Sequence, residues 1–591
     1  MRAPKMVLLF VISVMVCMAE AEEFADTIKL DTGGLSRAKF PQGFVFGAAT
    51  SAYQVEGMTN KYGRGPCIWD PFVKLPGSIA DNDTADVTVD QYHRYKEDID
   101  LMTKLKFDAY RFSISWSRIF PEGTGRVNWE GVAYYNRLID YMIEKGITPY
   151  ANLYHYDLPL TLQEKYLGFL SDQIVNDYAD YAEFCFNMFG DRVKNWFTFN
   201  EPRIIAALGF DSGINPPSRC SKAIGNCTAG NSGTEPYIAA HNLILSHAAA
   251  AQRYHEKYQQ CESFAYLSWG LWSRRNAVLH GEVVRSNEVL RDSEAMLHLE
   301  FLEAISLSIT ELSKACMSKW TPPLQGVVKI NVDGAISVGR GVGKTQKGRI
   351  GILLDFVWYE PLTRSKDDNY AAQRARDFHL GWFLNPIMYG EYPRTMQEIV
   401  GDRLPKFTEE QVKIVKGSAD LFGVNLYTAF YMYDPHYQST SKVFSYQQDW
   451  NVGFAYDKNG VPIGQRANSF WLYNVPWGMY KALTYIKERY GNPTIFVSEN
   501  GMDDPGNVTL PEGLYDTTRI NYYKGYISEL KKAMDDGVNV IGYFAWSILD
   551  NFEWRSGYTS RFGIVYIDWK NNLKRIPKLS AYWFRQILGN Y

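Results

Sequence analysis

Eight short β-rich runs recur along the chain, at residues 44–49, 109–115, 148–154, 193–200, 350–358, 421–427, 494–499 and 540–546. Their near-continuous aromatic and β-branched character marks strands buried on both faces. Between them lie helical patterns. Val132, Tyr135, Leu138, Ile139, Met142 and Ile143 are spaced for one helix face and stopped by Gly146. Another pattern begins at Gly478, carries Tyr480, Leu483 and Ile486, and ends at Gly491. Eight alternating strand–helix units predict an α/β fold, a parallel (β/α)8 TIM barrel rather than a doubly wound open sheet. Such a barrel carries its chemistry at the C-terminal ends of its strands, so eight places hold the candidate site residues.

Two of those places end in glutamate. The fourth run closes Trp196-Phe197-Thr198-Phe199-Asn200-Glu201-Pro202, and the seventh closes Phe496-Val497-Ser498-Glu499-Asn500-Gly501. A single Glu after a strand is ordinarily a solvated loop residue or a helix cap. Two across one barrel mouth suit glycoside hydrolysis, in which one carboxylate attacks the anomeric carbon and the other protonates the departing oxygen. The chain is 15% aromatic, with 41 Tyr and 16 Trp, a composition suited to stacking on sugar faces. Its formal charge of -3 supplies no basic surface for a phosphate backbone, so nucleic acid is not an expected partner.

At these residues the chain resembles the family 1 glycoside hydrolases, the plant β-glucosidases in particular. Thr198-Phe199-Asn200-Glu201-Pro202 resembles their acid/base motif and Ser498-Glu499-Asn500-Gly501 their nucleophile motif. Residues 44–54 look like the family's first strand and 546–554 like its sugar-binding loop, and the likeness covers nearly all of 40–260 and 345–580. It implies a retaining β-glucosidase acting on O-linked β-D-glucosides, either small-molecule glycosides or oligosaccharides. Glu499 would be the nucleophile and Glu201 the general acid and then base. At a carboxyl separation of about 5 Å and an effective dielectric near 20, repulsion of roughly 3 kcal/mol raises one pKa by about two units. Glu201 is therefore expected to hold a proton near neutral pH while Glu499 is charged.

The resemblance also implies that Gln54, His155, Asn200 and Glu553 hold the glucose hydroxyls, that Trp546 floors the sugar, and that Trp554 contacts its rim. Tyr427 would donate to Glu499, and Trp471 resembles the aromatic platform of the aglycone site. No cofactor and no metal is implied. Two residues depart from the pattern: Tyr156 follows His155 where the family commonly has Trp, and Leu160 stands where it usually has Gln. Both bear on substrate preference, with Tyr156 a candidate substrate contact. Glu201 itself marks an O-glucosidase, because the related thioglucosidases carry Gln there. A transglucosidase would use the same residues, with an acceptor hydroxyl reaching the intermediate before water. A catalytically silent sugar-binding protein is the remaining alternative, and the retained pair of glutamates argues against it.

Arg2 and Lys5 precede an apolar run from Met6 to Met18 that ends at Ala19-Glu20-Ala21, the pattern of a secretory signal peptide over residues 1–21. The run is short for a bilayer span, and no later stretch reaches about 18 uninterrupted apolar residues. The mature chain is expected to be exported, to the apoplast, cell wall or vacuole, with no membrane partner. In that compartment Cys220 and Cys227, in a Gly/Ser/Asn-rich loop, are expected to pair. Cys67 and Cys185 sit among aromatic and apolar neighbours and read as buried free thiols. Asn82, Asn226 and Asn507 head glycosylation sequons.

One interval breaks the rhythm. Between a helix ending near Tyr258 and the fifth run at Ile350 lie about ninety residues, where a barrel loop needs only a few. Residues 261–344 read as an atypical insertion that divides the catalytic barrel into 22–260 and 345–591; without it the chain would have 507 residues. From Trp272-Ser273-Arg274-Arg275-Asn276 to Lys329-Ile330-Asn331-Val332-Asp333-Gly334-Ala335 it resembles part of the ribonuclease H-like region of plant retroelement polyproteins. A nuclease of that type needs several carboxylates around divalent metals, and Asp333 has no companions before barrel sequence returns, so no nuclease activity is expected. A retained intron or element fragment accounts for the segment as well as a functional insertion does. Long surface loops cost little closure entropy, but Phe301, Leu302 and Ile305 are an aggregation liability if exposed. Deleting residues 261–344 is expected to raise soluble yield and melting temperature, and equal values for the two forms would refute the liability.

Overall fold

The computed structural model describes residues 29–259, 346–436 and 444–589; the signal-peptide and insertion readings therefore fall outside the described residues. Eight strands form the barrel: β1 (Val45–Ala49), β2 (Ala109–Ser113), β3 (Thr148–Asn152), β4 (Asn195–Asn200), β5 (Arg349–Asp355), β6 (Leu421–Asn425), β7 (Ile495–Asn500) and β8 (Val540–Trp546). They close in the order β1-β8-β7-β6-β5-β4-β3-β2, every neighbouring pair parallel. Each overlaps one of the eight sequence runs. The fifth ends before its run does: Phe356 N–H donates to Asn425 O at 2.9 Å, and Trp358–Pro361 joins a separate sheet with Ala429–Tyr433 and Gly453–Ala455. Apolar aromatic residues suit both sheets, so periodicity conceals that break.

The principal covering helices are α1 (Gln91–Lys104), α2 (Trp129–Glu144), α3 (Gln173–Phe189), α4 (Glu235–Tyr254), α5 (Lys366–Arg376), α6 (Trp477–Tyr490), α7 (Thr517–Asp535) and α8 (Leu579–Leu588). Val132, Tyr135, Leu138, Ile139 and Met142 bury the predicted face of α2, whereas Ile143 turns to solvent. Leu483 and Ile486 are buried on α6, while Tyr480 turns outward and donates to Asp536 Oδ2. Gly491 ends α6 at φ 72°, a left-handed conformation that glycine adopts without a Cβ penalty.

A layer with one residue from each of seven strands fills the barrel: Ala109, Tyr150, Phe197, Leu353, Leu421, Phe496 and Phe544, with Val45 of β1 packed against it. The rings of Phe197 and Phe496 lie 5.0 Å apart and those of Tyr150 and Phe544 4.9 Å apart. Gly47 makes the space for this, since a Cβ there would stand 2.2 Å from the Phe544 ring. The layer closes the lower barrel, so polar side chains at the strand ends face a mouth and not a pore.

The described residues up to Tyr254 and from Lys347 onward form one compact unit containing the barrel, and His255–Gln259 and Gln346 belong to a second. Within the barrel unit the two sides of the interruption are neighbours at the N-terminal rim. A Cβ on Gly348 would meet the Tyr254 hydroxyl at 2.2 Å, and Arg349 N–H donates to Lys194 O at 2.8 Å. Within the second, Gln346 N–H donates to Tyr258 O at 3.0 Å. The strand-end mouth is at the opposite end of the barrel from this rim. Phe197→Ala, which empties the centre of the packed layer, is expected to cost about 3–5 kcal/mol of stability, read as a lowered midpoint in urea unfolding.

Candidate active site

The strands that are apolar through the barrel become polar at their last residues. Asn152, Asn200, Asp355 and Asn425 end β3, β4, β5 and β6, and Glu499 and Asn500 end β7. Pairing slips in register between Phe197 and Asn200 on β4 and between Val497 and Glu499 on β7. Such irregularities re-aim side chains, and here they occur beside both glutamates. Glu201 follows β4 at φ 45° and caps the helix Pro202–Phe210, with its N–H donated to Leu353 O at 2.9 Å.

Glu499 is buried beside the wholly buried Arg111 of β2. Arg111 Nη1 and Nη2 donate to Glu499 Oε1 at 2.6 and 2.7 Å, and the Tyr427 hydroxyl donates to Oε2 at 2.7 Å. Burial pushes the Glu499 acidity weaker than usual, while Arg111, Tyr427 and Asn425 act to keep it charged. Among the described residues no cation is paired with Glu201. Its Oε1 accepts from Asn425 Nδ2 at 2.9 Å and its Oε2 accepts from the Tyr156 hydroxyl. Its pKa is pushed up to about 8, first by burial and then by the charges of Glu499 and Asp355. The rise thus comes from desolvation before repulsion, whereas the expectation from sequence rests on repulsion alone. Asp355 would itself be raised by burial, but Arg203 and His379, at 2.6 and 2.7 Å from its Oδ2, hold it well below the usual carboxylate range.

Around the pair stand the other residues read from sequence. Asn200 Oδ1 accepts from Arg111 Nη2 at 3.1 Å and from Asn425 Nδ2 at 3.0 Å, and Asn200 Nδ2 lies 3.3 Å from both His155 Nε2 and the Tyr156 hydroxyl. His155 is buried; desolvation and the Arg111 charge drive its pKa well below the usual value, so the ring is neutral. Its face lies nearly parallel to Trp546 and to Trp554, with centroids 5.9 Å away in each case. Trp554 also stacks on Tyr53, and Trp471 meets Tyr427 edge to face at 5.8 Å. Gln54 Nε2 donates to Asn551 Oδ1 at 2.9 Å and Phe552 O at 3.0 Å, and reaches Glu553 Oε2 at 3.3 Å. Glu553 is pushed up to about 8 by burial and by Asp503 and Glu499, against the opposing pull of Asn551 and Trp546, and among the described residues its buried Oε1 has no partner at hydrogen-bond geometry. Behind this loop Asp550 accepts from Lys578 Nζ at 2.9 Å and Arg561 Nη1 at 2.7 Å.

The substrate-contact candidates are therefore gathered in one mouth. Leu160 is outside this contact network, half-buried at the start of the helix Leu160–Tyr166. Cys220 and Cys227 form a disulfide, Cys67 and Cys185 are buried free thiols, and Asn82, Asn226 and Asn507 are exposed. Sequence reading missed Arg111, Asn425 and Asp355. The signal for Arg111 was a charge inside the apolar run Ala109-Tyr110-Arg111-Phe112, which a buried strand keeps only with a partner. Asn425 and Asp355 occupy strand ends, where the rule that found the glutamates also applies.

The description "Glycosyl hydrolase family 1" fits residues 36–271 and 324–590. β-Glucosidase 44 of Arabidopsis thaliana is 62% identical over 569 residues, covering 96% of this chain and 94% of the relative. β-Glucosidase 1 of Oryza sativa subsp. japonica is 57% identical over 559 residues, covering 95% of this chain and 91% of the relative. Among solved structures, a rice β-glucosidase in a covalent complex with Glc is 43% identical, with a TM-score of 0.79 over 94% of this chain and 100% of that one. Arg111→Gln removes the only cation bonded to Glu499 among the described residues. The ionisation of Glu499 is expected to move to higher pH, read by carboxylate infrared difference spectra against Glu499→Gln.

Proposed function

The chain belongs to glycosyl hydrolase family 1, and from that premise we propose a retaining β-glucosidase with Glu499 as nucleophile and Glu201 as acid and then base. The observation that carries the reading is the contrast between the two carboxyls. One is tied to a guanidinium and a phenol, which favour its anion; the other has no paired cation among the described residues and a pKa of about 8, which favours its neutral acid near neutral pH.

In the first step a Glu499 oxygen bonds to the anomeric carbon as the glycosidic bond breaks, and Glu201 gives its proton to the departing oxygen. Esterification removes the Glu499 charge. Glu201 loses the part of its raised pKa that the Glu499 charge supplied, and its carboxylate can take a proton from water. The water oxygen then bonds to the anomeric carbon as the ester bond to Glu499 breaks. Two displacements restore the original configuration.

The unpartnered Glu553 Oε1 supports hydroxyl binding, because a buried acceptor lacking a donor is costly until a ligand supplies one. Gln54, His155 and Asn200 line the same mouth with donors and acceptors; Trp546 and Trp554 supply apolar faces for the sugar, and Trp471 a platform for the aglycone. The β-glucosidase names of the relatives and the covalent Glc in the rice structure support glucose as the glycone. Export through the secretory pathway is supported by the N-terminal pattern, the Cys220–Cys227 disulfide and three exposed sequons.

The test is hydrolysis of a chromogenic β-glucoside by the full chain, residues 261–344 included. Glu499→Ala is expected to lose on the order of 10⁴-fold or more in kcat. Undiminished activity in that variant would overturn the reading. Activity of the unaltered enzyme should fall as pH rises through about 8, because the proton donor is then lost.

A further inference from the structure

Tyr156 stands where the family it resembles commonly carries Trp, and the hydroxyl it adds meets the Glu201 carboxyl and not open space. The phenol donates to Glu201 Oε2 and accepts from Asn200 Nδ2 at 3.3 Å. The direction of this chain is fixed by what lies behind it. Asn200 Oδ1 already accepts from Arg111 Nη2 and Asn425 Nδ2, so turning the amide over would set its N–H groups against two donors. Asn200 Nδ2 must therefore face the phenol, which leaves the phenolic hydrogen for Glu201. The ring has little freedom to turn away. Tyr156 is 8% exposed, has φ 72°, and packs against His155 at 4.9 Å and Trp554 at 5.0 Å.

We propose that Tyr156 is a positioning residue for Glu201: its phenol on Oε2, with Asn425 on Oε1, holds the carboxylate that deprotonates water in the second displacement. This rests on the reading of Glu201 as the acid/base group. A donor on each oxygen favours the ionised form. Burial and the charges of Glu499 and Asp355 oppose it. Of the other charged or titratable groups of the mouth, Arg111 and Tyr427 bind Glu499, Arg203 and His379 bind Asp355, His155 is uncharged, and Glu553, itself pushed up to about 8, meets Gln54 and not Glu201. The phenol is thus a counterweight. Without it the environment favours an acid that gives up its proton reluctantly and is seldom the base that the second step requires.

Tyr156→Phe removes the hydroxyl and keeps the ring. Three readings are taken: the pH profile of kcat/KM, kcat for a β-glucoside whose good leaving group makes water attack limiting, and competitive inhibition by glucose. The alkaline limb is expected to move up by about one pH unit, and kcat at neutral pH to fall about tenfold, while glucose inhibition changes less than twofold. An unmoved alkaline limb with weakened glucose inhibition would make Tyr156 a sugar contact only and overturn the proposal. Incorporating 3-fluorotyrosine at position 156 preserves the shape and strengthens the donor, so the limb should move down; no movement, or movement up, also overturns it. Glu201→Gln is assayed beside these on a glucoside with a poor leaving group. Full activity there would remove the acid/base reading itself, whereas a dead Glu201→Gln with an unshifted Tyr156→Phe removes only the role given to Tyr156.

Discussion

A carboxylate taken out of water stays charged only if something replaces its hydration, and in this barrel that partner is Arg111. Its guanidinium, on the middle residue of β2, is buried and gives two hydrogen bonds to Glu499 Oε1, one to Asn200 Oδ1 and one to Ser498 O. Desolvating an ion pair is costly unless such additional bonds satisfy it. The rest of the mouth takes its orientation from this group. Arg111 and Asn425 together decide which way the Asn200 amide points, and Asn200 in turn decides where the Tyr156 hydrogen goes.

The second charged cluster works on the other glutamate. Arg203 and His379 keep Asp355 ionised, and that negative charge helps keep Glu201 neutral. A third, in which Lys578 and Arg561 grip Asp550, anchors the loop that presents Glu553 and Trp554. Two chemically identical side chains thus acquire different acidities from what surrounds them, the condition for one pair to provide both a nucleophile and a proton donor. The apolar layer around Phe197, Phe496 and Phe544 is what makes these arrangements rigid, because it fixes the strand ends from which the groups project.

Much of the barrel was legible beforehand because its signals are local. A buried parallel strand reads as an apolar run, and α2 and α6 read as a periodic face closed by glycine. Glu201 and Glu499 were legible for a related reason: a carboxylate at the end of an apolar run is out of place in the core and belongs to a mouth. What failed was whatever depends on another strand. The end of β5 at Asp355 was hidden because Phe356, Val357 and Trp358 beyond it are equally apolar, although Trp358 already pairs with a different sheet. The fate of Ile143 was hidden because periodicity marks a helix face and not its edge.

The sequence by itself determined the eight-unit plan, the two strand-end glutamates and the family they resemble. Each is written in contiguous residues whose spacing or chemistry carries the information without reference to the rest of the chain. Only the tertiary structure decided that Arg111 binds Glu499, that Asn425 bonds both Asn200 and Glu201, and that the hydroxyl of Tyr156 meets the Glu201 carboxyl. Those partners lie tens to hundreds of positions apart. Barrel closure brings them within hydrogen-bonding distance, and the acidity of a buried group is set by those neighbours and not by its place in the chain.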